Sequence, residues 1–278
     1  MINKIKNQVS ESFGYEWNLF ISGKTERNSL FGRTTIDDLN YFLKSVGLNK
    51  NQIKDKLILD AGCGSGRLTK QLAKLGAKKV YGVDIHSSIN KVKENCRDIP
   101  NLRIIQADIF NLPFKSNIFD VVWCNGVIHH TADPYLAFHK LVKIVKPGGK
   151  LYIWVYEKKF SPYKFVKDVF RFTHLDRLSY PLLFKVCQLF SIISVIFHSI
   201  YKIVTIPIYP FYNRSRYFLK TLRKRSYEEF LMTWFDILSP KYDFRYSKKQ
   251  IIKWFTENGF KNLLFYENQI GICGTKIK

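Results

Sequence analysis

The chain has 278 residues, of which 46% are hydrophobic and 24% charged, a composition that predicts a globular protein and excludes a disordered one. Lys and Arg number 45 against 22 Asp and Glu, which gives a formal net charge of +23. This excess favours an anionic partner, either nucleic acid, an acidic membrane surface or a phosphorylated substrate. Solvated surface lysines are the alternative explanation.

The five cysteines are widely spaced and form no C-x-x-C pair, so we predict neither a disulfide framework nor a metal site. They are Cys63, Cys96, Cys124, Cys187 and Cys273. The first residues lack the apolar core of a signal peptide. We therefore expect a cytoplasmic protein.

From Leu57 onward, short apolar runs alternate with segments of helical periodicity, which predicts βαβ units. The predicted strands are 57–62, 79–84, 102–108, 119–125 and 150–156. The helices between them are 67–75, 87–96 and 134–146, the last separated from its strand by a Pro-Gly-Gly turn at 147–149. A capping box at Ser247 opens one more helix, and an antiparallel pair of strands, 260–266 and 270–277, closes the chain.

The pattern predicts an α/β fold with a doubly wound, mostly parallel sheet interrupted by a helical insertion. We divide the chain into an N-terminal helical lid segment, a cofactor-binding core, a basic aromatic cap and a C-terminal part of the core. Their predicted boundaries are 1–50, 51–157, 158–235 and 236–278. Residues 158–226 carry fourteen Lys or Arg and two acids, which concentrates about half of the net charge in this insertion.

The strongest motif reads Asp60-Ala-Gly62-Cys63-Gly64-Ser-Gly66 and stands between a predicted strand and a predicted helix. Alternate glycines allow the backbone to pass close to a ligand, and the helix N-terminus offers free N–H groups. Asp84 ends the second strand, about twenty residues later, where an acid hydrogen-bonds a ribose diol. These features predict a nucleoside-containing cofactor; a tight turn with Asp84 as a helix cap is the alternative.

The spacing G-x-G-x-G differs from the dinucleotide fingerprint G-x-G-x-x-G, and Asp60 would repel a pyrophosphate. An acid at this position suits a ligand with an ammonium group, such as S-adenosylmethionine. The segments LILDAGCGSGRLTKQLAKLGAKKVYGVDIHSS, QADIFNLPF and FDVVWCNGVIHHTADPYLAFHKLVKIVKPGGKLYI resemble class I S-adenosylmethionine-dependent methyltransferases. This resemblance implies a Rossmann-like seven-stranded sheet with an antiparallel C-terminal strand, and S-adenosylhomocysteine as the product.

The resemblance also implies a role for each matched position. Asp60, Gly62, Cys63, Gly64 and Gly66 would line the methionine half of the cofactor. The ribose and adenine would contact residues after the second and third strands, namely Asp84, Ile85, Asp108 and Ile109. Asn125, after the fourth strand, would lie near the sulfonium.

A general base assists methyl transfer to a hydroxyl, and His129 and His130 are the nearest candidates. Packing of the loop is the alternative role for both. Tyr15 and Trp17 are expected to close the site as a lid or to cap the core. Tyr242 ends a segment, 236–242, that resembles bacterial members acting on sugars or sugar-linked lipids.

Within the insertion, residues 186–201 lack charge over 16 positions, short of the roughly 20 needed to span a bilayer. Polar residues recur there every three or four positions, which predicts a helix with a narrow polar stripe and a wide apolar face. Two locations for that face remain open. It contacts an anionic membrane, on the inner face of the cell membrane, or it packs within a cap or dimer.

The sequence therefore predicts a methyltransferase acting on a small-molecule, sugar or lipid-linked acceptor, most simply by O-methylation. An RNA methyltransferase is the second candidate, supported by the net charge, although no RNA-binding module is recognisable. A non-catalytic S-adenosylmethionine-binding protein and a nicotinamide oxidoreductase are further alternatives, the last opposed by the glycine spacing.

Overall fold

The computed structural model of the chain describes residues 2–23, 29–30, 33–159, 162–205, 225–266 and 270–277. Five parallel strands form most of the main sheet: β1 (Leu57–Ala61), β2 (Lys79–Asp84), β3 (Leu102–Gln106), β4 (Phe119–Asn125) and β5 (Val145–Val155). Two more strands complete it, β6 (Phe260–Tyr266) and β7 (Ile270–Lys276). The order is β3-β2-β1-β4-β5-β7-β6, with β7 antiparallel to both of its neighbours. The predicted fold class is confirmed.

The helices of the described residues fall into three groups. The N-terminal helices are α1 (Ile2–Ile21) and α2 (Thr35–Val46), joined by a short ladder of Ser29–Leu30 with Arg33–Thr34. The helices that belong to the sheet are α3 (Arg67–Lys74), α4 (Ile89–Glu94), α5 (Pro134–Ile144) and α9 (Lys248–Glu257). The insertion contributes α6 (Pro162–Phe172), α7 (Tyr180–Thr205) and α8 (Tyr227–Leu238).

The sheet is covered on both faces, as its nearly continuous apolar strands require. One core cluster joins α2, α3 and α4 to the sheet through buried residues such as Phe42, Leu72 and Ile89. The opposite cluster joins α5 and α9 through Phe138 and Phe255. The capping boxes at Thr34 and Ser247 fix the starts of α2 and α9, the second as predicted.

The topology determines where a site can form. The chain runs outward from β1 to β3, then returns to β4 on the other side of β1. In such sheets the crevice for a ligand opens at the carboxyl ends of the strands, where this reversal occurs. The ends of β1, β2 and β4 at this edge are Ala61, Asp84 and Asn125, next to the predicted site residues.

Two predicted boundaries differ from the structure. The strand expected to begin at 150 begins at Val145. The Pro147-Gly148-Gly149 segment lies within this strand, where the register of its pairing with β4 shifts. The N-terminal segment, which shows no clear periodicity in the sequence, contains a helix of 20 residues. Residues 206–224, with five of the insertion's basic residues, and the predicted turn 267–269 lie outside the described residues.

A buried lysine, Lys276, anchors the last strand of the chain, β7, to its surroundings. Lys276 Nζ donates hydrogen bonds to Asn117 Oδ1 at 2.9 Å, Val142 O at 3.0 Å and Val145 O at 2.8 Å. Burial lowers the pKa of this ammonium group. The last strand is thereby fastened to the loop before β4 and to the end of α5.

We expect Lys276→Met to lower the free energy of unfolding by about 2 kcal/mol, because three acceptors lose their donor, and one of them, Val145 O, is buried. Urea denaturation measures this change, with Lys261→Met, on the exposed part of β6, as the matched control. Equal stability of the two variants would contradict the assigned role of Lys276.

Candidate functional site

The glycine-rich segment after β1 turns the chain sharply at the carboxyl edge of the sheet. Gly62, Gly64 and Gly66 all have positive φ angles, of 81°, 52° and 73°. Backbone N–H groups of Gly62 and Cys63 donate to Val83 O at 2.7 Å and 3.0 Å, which ties the turn to β2. A Cβ at position 64 would lie 2.5 Å from the Trp17 ring, so the indole of α1 packs directly on this loop.

Asp84 connects the loop to the next strand. Its Oδ2 accepts a hydrogen bond from Gly64 N at 2.8 Å, and its Oδ1 accepts one from Ile85 N at 2.7 Å. A carboxylate has about four lone-pair sites, so it can also accept hydrogen bonds from a ligand. The carboxylate therefore fixes the shape of the loop and remains able to bind a diol.

A cavity lies beyond Asp84, and we call it the β2–β3 cavity. Its lining contains the predicted pairs Asp84–Ile85 and Asp108–Ile109, which follow β2 and β3. Asp108 forms an ion pair with Lys6 of α1 at 3.1 Å and accepts a hydrogen bond from Phe110 N. The remaining wall is mostly apolar and includes Ile5, Val9, Phe110, Leu112 and Val127.

A second cavity, the β1–β5 cavity, adjoins the first and contains Asp60. Both cavities are lined by Trp17, Gly62, Asn125 and His130, so they form one continuous cleft. Aromatic side chains form much of the second wall: Tyr41, Trp123, Trp154, Tyr156 and Tyr266. Asn125 lies at the junction, and its buried Oδ1 has no hydrogen-bond partner in the described part of the chain.

Asp60 is 4% exposed, and its Oδ2 accepts a hydrogen bond from Thr69 Oγ1 at 2.6 Å. Burial raises the pKa of this carboxyl to about 7, and the charges of Asp84 and Asp38 add to the effect. A cation bound beside Asp60 would compensate the buried charge. The site therefore favours a ligand with a positive group.

The predicted base candidates occupy different environments. His129 is fully buried, with its ring 4.2 Å from those of His130 and Tyr156, and it lines neither cavity. His130 lines both cavities. Its Nδ1 lies 2.7 Å from Tyr242 O, so Nδ1 donates and Nε2 is the acceptor of the neutral ring. Burial lowers the pKa of His130 to about 4, so the ring stays neutral near pH 7.

The other predicted residues divide between the cleft and its supports. Gly66 lines neither cavity; a Cβ there would lie 2.7 Å from Val92, so it permits the close packing of α3 on α4. Cys63 lines the β1–β5 cavity, but burial raises the pKa of its thiol well above the usual range. Tyr15 stacks on Tyr180 in the cap, away from both cavities, and Tyr242 contributes its carbonyl to His130.

The sequence analysis missed three acidic residues of the cleft. Glu16 of α1, Asp38 of α2 and Asp236 of α8 all line the β1–β5 cavity. Glu16 is 1% exposed, and burial together with the charge of Asp236 raises its pKa well above the usual range. Burial also raises the pKa of Asp236 to about 6. The spacing of Gln8, Ser12 and Glu16 along α1 is the signal that could have identified a buried polar stripe.

Two arginines of this wall were also missed. Arg67 Nη2 forms an ion pair with Asp38 at 2.9 Å and donates to Arg33 O at 2.6 Å. Arg33 pairs with the same carboxylate at 3.4 Å. Both guanidinium groups belong to the lining of the β1–β5 cavity, where two cations share the one carboxylate of Asp38 and form a positive corner. In the described part of the chain, no group of three or more His, Cys, Asp or Glu could hold a metal ion.

Residues 59–153 match a family described as "Methyltransferase domain". A ubiquinone biosynthesis O-methyltransferase of Coxiella burnetii is 35% identical over 113 residues, which are 40% of this chain and 48% of that protein. A ubiquinone/menaquinone biosynthesis C-methyltransferase of Wigglesworthia glossinidia brevipalpis is 33% identical over 131 residues, 45% of this chain and 52% of that protein. The chain thus spans about half the length of the curated relatives it matches.

Solved structures share the fold at low identity. The magnesium protoporphyrin IX methyltransferase of Synechocystis, solved with bound S-adenosylmethionine, superimposes with a TM-score of 0.54 and 15% identity, covering 98% of this chain and 97% of that one. A methyltransferase of Aquifex aeolicus gives a TM-score of 0.50 at 14% identity, covering 92% and 97%. The predicted resemblance to class I methyltransferases is confirmed. The narrower likeness to a sugar or glycolipid branch stays a prediction.

Replacing the buried acid after β1 tests the electrostatics of the loop. We expect Asp60→Asn to raise the free energy of unfolding above pH 7, by about 2–4 kcal/mol, because a group with a raised folded-state pKa loses stability as pH rises. The advantage grows between pH 4 and pH 7, where the unfolded chain ionises Asp60 first, and is absent below. Urea denaturation across pH measures it, with exposed Asp55→Asn as the control. A difference independent of pH would contradict this explanation.

Proposed function

We propose that the protein is an S-adenosylmethionine-dependent methyltransferase that transfers a methyl group to a hydroxyl of a small ring-containing, sugar or lipid-linked acceptor. The observation that carries this proposal is the pairing of Asp60 and Asp84 around one glycine loop, at the carboxyl ends of neighbouring strands. One acid is buried and favours a cation, and the other can accept hydrogen bonds from a diol. S-adenosylmethionine carries both groups.

The residues of the cleft fit this cofactor along its length. Asp84 would bind the ribose hydroxyls, while Ile85 and Ile109 would lie against the adenine ring in the β2–β3 cavity. Asp60 would face the α-ammonium group, and the positive corner of Arg33 and Arg67 suits the α-carboxylate. The open acceptor atom Oδ1 of Asn125, at the junction of the cavities, would lie nearest the methyl group.

When bound, the cofactor supplies an activated methyl group on a good leaving group, so the protein has mainly to align the acceptor and exclude water. Trp17 lies over the loop from α1 and helps to enclose the cleft. The aromatic wall of the β1–β5 cavity offers flat apolar surfaces to a ring. The acceptor would enter on this side, next to Asn125 and His130.

The relatives support a small-molecule acceptor. The names of the two curated relatives assign them to quinone biosynthesis, and the O-methyltransferase acts at oxygen by its name. A cavity with an aromatic wall suits a ring of similar size better than a nucleic acid strand. The RNA alternative rests on the net charge of +23.

The cap gives a reason to propose a hydrophobic acceptor and attachment to a membrane. On α7, the side that packs against α8 includes Cys187, buried Ser191 and Ser194, whose Oγ accepts a hydrogen bond from Trp234 Nε1 at 2.8 Å. Part of the predicted polar stripe therefore faces the protein. The wide apolar face points away from it and is exposed at Leu182, Leu189, Ile192, Ile193, Ile196 and Phe197.

A second exposed apolar stripe lies on α6, at Phe165, Val169 and Phe172, the last of which is 86% exposed. Exposed Arg177 and Lys185, between and on these helices, provide positive charge beside the apolar surface. Apolar side chains flanked by cations are typical of helices that lie in the interface of an anionic membrane. We therefore propose peripheral attachment of the cap to the inner face of the cell membrane.

Helix α7 is longer than the uncharged stretch, 186–201, on which the sequence prediction was based. Residues Tyr180–Ser199 form a segment of 20 residues with a mean hydropathy of 1.8, of which 17% is buried, long and apolar enough by length and composition to cross a membrane. The expectation that the segment falls short of a bilayer was wrong, because the single Lys185 does not interrupt the helix. We favour attachment in the plane of the membrane, because the inner side of α7 packs against α8.

Replacing the proposed ribose ligand tests the cofactor. We expect Asp84→Asn to weaken binding of S-adenosylmethionine by about 10- to 100-fold, because hydrogen bonds to a charged acceptor contribute about 1.5–3 kcal/mol. Isothermal titration calorimetry measures the affinity, and Asp98→Asn, with an exposed carboxylate, is the matched control. Failure of the unaltered protein to bind S-adenosylmethionine, or tighter binding of NAD, would overturn the proposed function.

Replacing two exposed aromatic residues tests the membrane surface. We expect Phe172→Ser with Phe197→Ser to reduce binding to vesicles of phosphatidylglycerol and phosphatidylcholine at least tenfold, because burial of one Phe contributes about 1.5–3 kcal/mol. Vesicle sedimentation at low salt measures binding. The control is Ile36→Ser, a residue 66% exposed on α2. Absence of binding by the unaltered protein would refute membrane attachment.

A further inference from the structure

A buried polar stripe runs along α1 where this helix meets the cap. Gln8, Ser12 and Glu16 recur every four residues, so they lie on one face of the helix. Ser12 Oγ donates to Ser239 Oγ at 2.9 Å, and Gln8 Nε2 donates to Ser239 O at 3.3 Å. Both serines are buried, so these bonds fix the register between α1 and the end of α8.

That register brings two carboxyl groups to the same wall. Glu16 stands one turn after Ser12 on α1, and Asp236 stands three residues before Ser239 on α8. Each belongs to the lining of the β1–β5 cavity, together with Asn125 and His130. The two acids are close enough for the charge of Asp236 to affect the titration of Glu16.

The pair is incomplete as a hydrogen-bonded structure. Glu16 is 1% exposed, and its Oε2 has no hydrogen-bond partner among the residues that the structure describes. A buried acceptor without a donor costs about 1–3 kcal/mol, so such a group in a cavity wall indicates a ligand that supplies the donor. Lys167 is close enough for its charge to lower the pKa of Asp236, but its ammonium group is paired with Asp243 at 3.3 Å and is not the missing donor to Glu16.

We propose that Glu16 and Asp236 form the acceptor subsite of the cleft, where they bind the hydroxyl group of a ring-containing acceptor and take its proton during methyl transfer. This inference rests on the proposed function. A hydroxyl donates one hydrogen bond, which matches the unpartnered oxygen of Glu16. The aromatic wall beside the pair, with Trp154 and Tyr156, would hold the ring.

The proton balance of the step is complete. The acceptor oxygen forms a bond to the methyl carbon while the bond from that carbon to sulfur breaks, and the sulfur keeps the electron pair. The O–H bond breaks, and its proton passes to the carboxylate pair, which later releases it to solvent. Because burial and the charge of Asp236 raise the pKa of Glu16 well above its usual range, Glu16 holds the first proton and the carboxylate of Asp236 is left to take the second. The raised pKa of Asp236, about 6, brings this base closer to neutral pH than an ordinary aspartate.

His130 has a different position in this arrangement. Its Nδ1 is engaged by Tyr242 O, and its pKa of about 4 makes it a weaker base than the pair. We therefore assign proton transfer to the carboxylates and a contact with the acceptor to His130.

The test compares Glu16→Gln, Asp236→Asn and the double variant, which keep the side-chain shapes but lose the negative charge. The control is Glu11→Gln, the same change at an exposed position of α1. The probes are catechol, aniline and veratrole, which present a ring with hydroxyl groups, with an amine or with blocked oxygens. Methyl transfer from labelled S-adenosylmethionine gives kcat and KM, and saturation-transfer NMR gives probe binding with and without the cofactor.

We expect catechol to bind and to be methylated, and veratrole to bind more weakly. The double variant should lower kcat for catechol about 100-fold while its affinity for S-adenosylmethionine stays within twofold of the control. Thermal denaturation should show a midpoint equal to or above that of the unaltered protein, because an uncompensated buried charge is removed.

Full turnover in the double variant, methylation of aniline alone, or catechol binding that ignores both substitutions would each overturn this inference. Loss of S-adenosylmethionine binding by the unaltered protein would instead refute the proposed function. Catechol binding measured without the cofactor tests the carboxylate pair in that case as well.

Discussion

The arrangement of the cleft depends on the cost of burying carboxylates. Asp60 and Glu16 are nearly inaccessible to solvent, and Asp236 lies beside Glu16 in the same wall. A buried carboxylate must hold its proton, meet a cation or accept hydrogen bonds, because its hydration is lost. In this cleft, burial raises the pKa of all three carboxyl groups, so each holds its charge only where a cation or a hydrogen-bond donor compensates it.

The different hydrogen-bond partners of the acids explain why the parts of the cleft suit different ligand groups. The glycine loop gives Asp84 a fixed backbone partner, Gly64 N, whereas Asp60 receives a single hydroxyl donor from Thr69. The two acids therefore differ in what they require from a ligand, hydroxyl donors for one and a cation for the other. Farther along the same cleft, Glu16 Oε2 lacks a donor among the described residues.

The succession of strands and helices along the chain was predictable, because it depends on the periodicity of apolar residues. Apolar runs around Ile58, Val80 and Val122 gave the central strands, and the glycine spacing after Asp60 distinguished the loop from a dinucleotide site. The bond from Gly64 N to Asp84 follows from the same local pattern. What the sequence could not predict is tertiary: Glu16 and Asp236 are 220 residues apart, and the packing of α1 on the end of α8, with Gln8 and Ser12 bonded to Ser239, places them together.

Two interpretations of the sequence changed for the same reason. His129 and His130 are equally good candidates for a general base in the sequence. In the structure, the turn Ile128–His130 directs only His130 to the cavities. The serines of α7 belong to the narrow polar stripe predicted from the sequence. In the structure Ser191 donates to Cys187 O and Ser194 accepts from Trp234, so both hydroxyls are bonded within the protein. A hydroxyl can satisfy its hydrogen bonds within or beside a helix, so it does not mark the exposed face.

The position of α1 relates the cleft to the cap. Its Trp17 covers the glycine loop, its Lys6 pairs with Asp108 at the opposite end, and its Ser12 is bonded to the end of α8. One helix therefore contacts the proposed cofactor cavity, the acceptor wall and the apolar cap. A shift of the cap would move Ser239 and with it the register that sets Glu16 against Asp236. In the proposed attachment, α6 and α7 hold the cap at the membrane, from which a hydrophobic acceptor would come. The contacts between the cap and α1 also set the position of the proposed acid pair, so acceptor supply and acid placement depend on the same part of the fold.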